Sequence, residues 1–184
     1  HCSDADVRLC SDYFEQVSTN QGEGASALLY RFHHATGFEE FDDNPPGLNN
    51  ALEKDSPIRS GEEIRLNQAA LEYEISLRYY VLGLRFAGSH HAFHSIGSTL
   101  AIHANAYARV RGFPKREAAE DFYLLNKLAK DGQIGRLEGA PLLLSSRSSF
   151  RVPFGTGAAI RKLLEGSGSH VVTYDPKIFH YLRA

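Results

Sequence analysis

Two groups of carboxylates in this chain have the type and spacing for chemistry. Asp4 and Asp6 flank Ala5 near the start. On an extended strand, side chains two apart share a face, so the pair can hold a hard divalent cation that also meets phosphate oxygens. Glu120 and Asp121 head a segment whose apolar residues Phe122, Leu125, Leu128 and Ala129 recur at helical spacing. Asp121 falls on the same stripe as Leu125 and Leu128. A first-turn carboxylate aimed at the buried side feels two opposed influences. The helix N-terminus favours its ionised form, and desolvation raises its pKa. That balance suits a general base. The structural alternative is a carboxylate that only satisfies the helix dipole.

Other groups are less specific. Arg147 and Arg151 stand four apart in a Ser- and Gly-rich loop at 145–157. Two guanidinium groups there can grip a diphosphate, or simply be solvated. His90, His91 and His94 cluster, but their spacing matches no closed zinc site, no cysteine is near, and no HExxH occurs. Gly97 and Ser98 form a small-residue turn where a ligand can approach the backbone closely.

These residues need elements to position them. Ser11 is expected to cap a helix reaching Val17, and Ala25–Phe32 reads as one core strand. The acidic stretch 37–57, with Pro45-Pro46-Gly47, reads as a long surface loop. Ser60 and Glu63 form a capping box, so a helix is expected from Gly61 to about Phe86, with Gly88 at its end. That helix carries two apolar stripes. Leu71, Ile75, Tyr79, Leu82 and Phe86 form one, and Leu66, Ala70, Tyr73, Leu77, Tyr80 and Leu84 the other. Burial around much of its circumference, or a partner, is therefore expected.

Gly97–Ile102 reads as a turn running into a strand, and His103–Val110 as a short helix ended by Arg111-Gly112-Phe113-Pro114. Lys127 and Lys130 suit the C-terminal end of the Asp121 helix, and Gly132 stops it. Two short strands follow within Ile134–Leu144, then a helix over Ala158–Leu164 and a C-terminal arm at 166–184. No internal repeat is present.

Composition narrows the class. The 184 residues carry 20 basic and 22 acidic side chains, a net charge of −2, which gives no electrostatic case for nucleic acid. The length suits a single domain, 1–184. Two cysteines, Cys2 and Cys10, make no disulfide framework, so a reducing compartment is expected.

The order of pieces resembles the family 2 glycosyltransferases: Gly97-Ser98 turn, apolar strand, short helix, Gly112-Phe113 corner, then Glu120-Asp121 opening a helix. In that family the corner usually reads Gly-Gly-Phe, and here it is Arg111-Gly112-Phe113. The resemblance runs from Ser3 to about Gly157. It implies an α/β chain of the GT-A type, with a mixed sheet flanked by helices. The chain would be the second half of such a domain, starting at the Asp-x-Asp motif and lacking the nucleotide-binding half of roughly a hundred residues that precedes it.

The implied activity is inverting, metal-assisted transfer of a sugar from a nucleotide-diphosphate sugar to an acceptor hydroxyl. Asp121 would be the base, with Glu120, Gly97, Ser98 and His94 at the acceptor. Arg147 and Arg151 would hold phosphates, and Asp4 and Asp6 would hold Mg2+ or Mn2+. The implied partners are the donor and a saccharide or other hydroxyl acceptor. The implied location is cytoplasmic, at the inner face of a membrane or beside a partner chain. Two other classes fit some residues. One is a non-catalytic glycan- or partner-binding module using the Tyr-rich helix and the acidic loop. The other is a histidine-based metallohydrolase.

Overall fold

The computed structural model describes residues 7–20, 24–34, 60–116, 119–146, 155–166 and 173–183. The elements are β1 (Val7–Arg8), α1 (Tyr13–Thr19), β2 (Ala25–Leu29), β3 (Phe32–His34), α2 (Gly61–Phe86), a 3-10 turn at Gly97–Thr99, β4 (Leu100–Ile102) and α3 (Ala104–Arg109). Then come α4 (Glu120–Asp131), β5 (Gln133–Arg136), β6 (Leu142–Leu144), α5 (Thr156–Glu165) and α6 (Pro176–Arg183). The chain is α/β.

The strands form two small mixed sheets rather than one. In the first, β6 lies between antiparallel β1 and parallel β3; in the second, β2 lies between antiparallel β4 and parallel β5. The expected single strand over Ala25–Phe32 is broken at Tyr30-Arg31, and its two pieces belong to different sheets. The break is held by bonds to several neighbours: Tyr30 N donates to Thr99 O (2.9 Å), Leu137 N to Leu29 O (2.9 Å) and Leu142 N to Arg31 O (2.8 Å). The chain leaving β5 changes sheet in step with the chain leaving β2, so these backbone groups find partners that periodicity alone does not reveal.

The α4 helix packs its buried Leu124, Leu125 and Leu128 against Ala27 and Leu29 of β2, Leu100 of β4 and Ala106 of α3. Phe122, expected on this stripe, is 50% exposed; Leu124 takes its place. The corner between α3 and α4 is also fixed by polar contacts. Lys127 Nζ donates to Val110 O (2.6 Å) and Gly112 O (2.8 Å). Lys127 therefore caps α3 and not, as expected, the end of its own helix. Arg109 pairs with Asp131 at 2.7 Å. Arg111 and Gly112 are both left-handed, with φ of 60° and 63°. At Gly112 a Cβ would also strike the Tyr107 ring, 2.8 Å away.

Helix α2 begins as expected: the Ser60 side chain accepts from Glu63 N at 3.2 Å. It ends in a Schellman turn, with Gly88 at φ 72°, Ser89 N bonded to Leu84 O and Gly88 N to Arg85 O. Its two stripes are covered unevenly, with α6 reaching Tyr79 and Phe86. Ala69 and Ala70 pack on Ile160 of α5, whereas Leu71, Ile75, Leu82 and Phe86 are exposed. Among the described residues no helix is long and apolar enough to cross a membrane. At the N-terminal end, α1 starts at Tyr13, and Asp12 stands where Ser11 was expected to cap. The Asp12 carboxylate instead accepts from Gln16 Nε2 (2.9 Å), which also reaches Ala140 O (2.9 Å).

The C-terminal arm is a helix, α6, whose buried Phe179 lies on Gly83 of α2. A Cβ at position 83 would sit inside the Phe179 ring. Gly83→Ala is therefore expected to lift α6 off α2, even though alanine is the better helix former. Hydrogen exchange should speed up across 176–183 while β2 and α4 keep their protection. Unchanged exchange in α6 would contradict this packing.

Candidate functional site

Asp121 sits in the first turn of α4 and is half-buried. Ala119, just before the helix, is left-handed at φ 59°, a conformation that costs an alanine about 1 kcal/mol. Its side chain offers no cap, and the Asp121 carboxylate accepts from the neighbouring Phe122 N at 2.7 Å. The same carboxylate lies against the 3-10 turn, accepting from Gly97 N, and a Cβ at 97 would be 3.4 Å from its Oδ2.

Burial pushes the Asp121 pKa up, the backbone N–H groups of Phe122, Gly97 and Asp121 itself oppose this, and the neighbouring Glu120 charge adds to the rise; the net shift is upward. The structure thus brings together Asp121, Glu120, Gly97 and, next in the chain, Ser98. Glu120 is exposed, and Ser98 is buried within the turn.

A residue assigned above only to helix packing also belongs here. Tyr73 of α2 hydrogen-bonds with Thr156 of α5 and lies close enough to Asp121 to feel its charge. Burial above all, with a smaller push from the Asp121 charge, holds the phenol protonated above its ordinary range against the Thr156 bond. The sequence signal was available but weak: a tyrosine on the inner stripe of a helix, with a hydroxyl that needs a partner once buried.

His94 does not join this group. Its ring packs edge-on against Phe32 at 5.2 Å and lines a cavity of about 70 Å3. None of Gly97, Ser98, Glu120 and Asp121 lines that cavity. His90 borders a depression formed by Ala129, Lys130 and Asp131, at the opposite end of α4 from Asp121. Asp4, Asp6, Arg147 and Arg151 lie outside the described residues. Among the described residues no group of three or more His, Cys, Asp or Glu could hold a metal ion.

Beside Tyr73, Glu74 forms a buried ionic network that periodicity did not reveal. Its carboxylate accepts from His34 N (2.7 Å) and Arg78 Nε (3.0 Å), and faces His34 Nδ1 (2.9 Å) and His33 Nδ1 (3.2 Å). Burial pushes Glu74 up, but the His34 and Arg78 contacts together outweigh it and hold the carboxyl at about 2. The Glu74/Arg78 spacing of four on one helix face was the readable clue.

Family models, curated proteins and solved structures were all compared with this chain, and none matches it.

A lowered carboxyl pKa stabilises the fold above the ordinary carboxylate range, and that stabilisation is lost as pH falls from about 4.5 toward about 2. Glu74→Gln is therefore expected to cost about 3 kcal/mol at pH 7, because it leaves Arg78 and the His34 N–H poorly paired. The gap should shrink at pH 3. Urea denaturation at the two pH values checks this; an equal gap at both would contradict it.

Proposed function

We propose that this chain supplies the acceptor side of an inverting glycosyltransferase of the GT-A type, with Asp121 as general base. The observation that carries the reading is the state of Asp121: half-buried, with an upward-shifted pKa, and held over the Gly97 backbone by backbone N–H groups. A base needs this combination. The upward shift strengthens the carboxylate as a proton acceptor, and the fixed N–H donors set its direction. A second observation supports the resemblance. Arg111 and Gly112 adopt the two consecutive left-handed conformations that a Gly-Gly pair takes most easily. Arg111 bears the steric cost where the resembled pattern has glycine.

In this reading Asp121 takes the proton of the acceptor hydroxyl as that oxygen attacks the anomeric carbon and the nucleoside diphosphate departs. Glu120 orients the acceptor at the site's exposed rim, and Tyr73 offers a protonated hydroxyl beside the base. Mg2+ or Mn2+ on Asp4 and Asp6 would offset charge on the departing diphosphate. Arg147 and Arg151 would grip the same phosphates.

The test is release of nucleoside diphosphate from a panel of nucleotide sugars by the intact natural protein, with and without Asp121→Asn. The substitution should lower kcat by about 10²- to 10⁴-fold and leave donor KM unchanged. Wild-type kcat should rise with pH through the raised Asp121 pKa. Retained turnover in the variant would overturn the base assignment. Saccharide binding with no diphosphate release from any donor would favour the binding-module reading instead.

A further inference from the structure

The cavity of about 70 Å3 that holds His94 has no role in the reading above. Arg31, Arg78, Arg85 and Arg136 all line it, together with apolar Leu29, Phe32, Val81 and Ile134. The four arginines come from different places: the β2–β3 link, two positions two turns apart on α2, and the end of β5. Four guanidinium groups around an apolar wall make a basic pocket suited to an anion, although solvent screens the exposed Arg85 and Arg136.

Only part of this charge is offset within the chain. Arg78 is paired with Glu74. Arg136 has Glu138 at 3.9 Å, but that side chain is 77% exposed, so the pair is a weak surface contact. Arg31 and Arg85 have no ion-pair partner among the described residues.

The histidine on the wall reports the same field. His94 Nδ1 is buried with no hydrogen-bond partner among the described residues. Burial, followed by the charges of Arg78, Arg136 and Arg85, drives the ring's pKa down to about 4. At neutral pH the ring is uncharged and leaves the positive charge of the wall to the arginines.

We propose that this cavity binds a phosphate group, with Arg31, Arg85 and Arg136 supplying charge and hydrogen bonds and the neutral His94 ring forming part of the wall. Its volume is about that of two waters at roughly 30 Å3 each, room for one tetrahedral oxyanion. A phosphate suits it better than a carboxylate does. Several guanidinium forks can each take a pair of oxygens on a tetrahedral dianion, whereas a carboxylate offers two oxygens and one charge. The site is separate from Asp121 and stands whether or not the chain transfers sugars.

The test is NMR titration of the 15N-labelled chain with inorganic phosphate, with glycerol phosphate, and with chloride at matched ionic strength. Saturable shifts are expected at the amides of 92–94 and 134–136 with phosphate but not with chloride. Arg85→Gln and Arg136→Gln, both exposed side chains whose loss leaves the fold intact, should each weaken binding at least about tenfold. Tighter binding of glycerol phosphate than of phosphate would identify a phosphomonoester as the ligand; binding of phosphate alone would identify the free ion. No saturable shift with either, equal response to chloride, or undiminished binding in both variants would overturn the proposal.

Discussion

The carboxylate of Glu74 fixes where the longest helix meets the smaller of its supports. It grips the backbone and ring of His34 on β3 and the guanidinium of Arg78 one turn along α2. With the carboxylate 5% exposed, an unpaired charge there would be costly, so α2 is held in one register on β3. Two consequences follow for neighbouring residues. Tyr73 is brought within range of the Asp121 charge. Arg78 and Arg85 are brought onto the wall of the basic cavity. Both candidate sites thus depend on the Glu74 contact, which shares Arg78 with the cavity wall.

The second constraint acts on α4. The Leu124, Leu125 and Leu128 face anchors it to β2 and β4, while Lys127 and Arg109 tie it to the corner after α3. These contacts leave its N-terminal turn against Gly97. Asp121 is there because the helix is pinned farther along, and its pKa rises because the pinning buries it. The backbone N–H groups that oppose the rise also give the carboxylate its direction. Packing, electrostatics and the proposed chemistry therefore share one cause.

Much of this was readable from residue types. The helix from Gly61 to Phe86 followed from the Ser60 cap and the apolar repeat, and Asp121 was placed on the inner stripe by its spacing from Leu125 and Leu128. The failures have physical reasons. The stretch Ala25–Phe32 looks like one strand because nothing in its composition marks the change of sheet at Tyr30-Arg31; partners distant in sequence decide it. The terminal arm was given no helix because its buried anchor, Phe179, is recognisable only once Gly83 is seen opposite. The exposed stripe of α2 shows that an apolar repeat reports what a helix can bury, not what covers it. Glu74 and the arginine cavity were missed because each assembles charges from segments far apart in the chain.

The state of Asp121 is the point on which the functional account rests. Its carboxyl carbon can be followed by 13C NMR as pH is varied, with Asp121→Asn used to assign the signal. The account predicts a midpoint above the ordinary aspartate value of 3.8, so that the folded state holds the proton more tightly than the unfolded chain does. A midpoint at or below that value would mean that the backbone N–H groups outweigh burial. Asp121 would then be a helix-capping carboxylate and not a base.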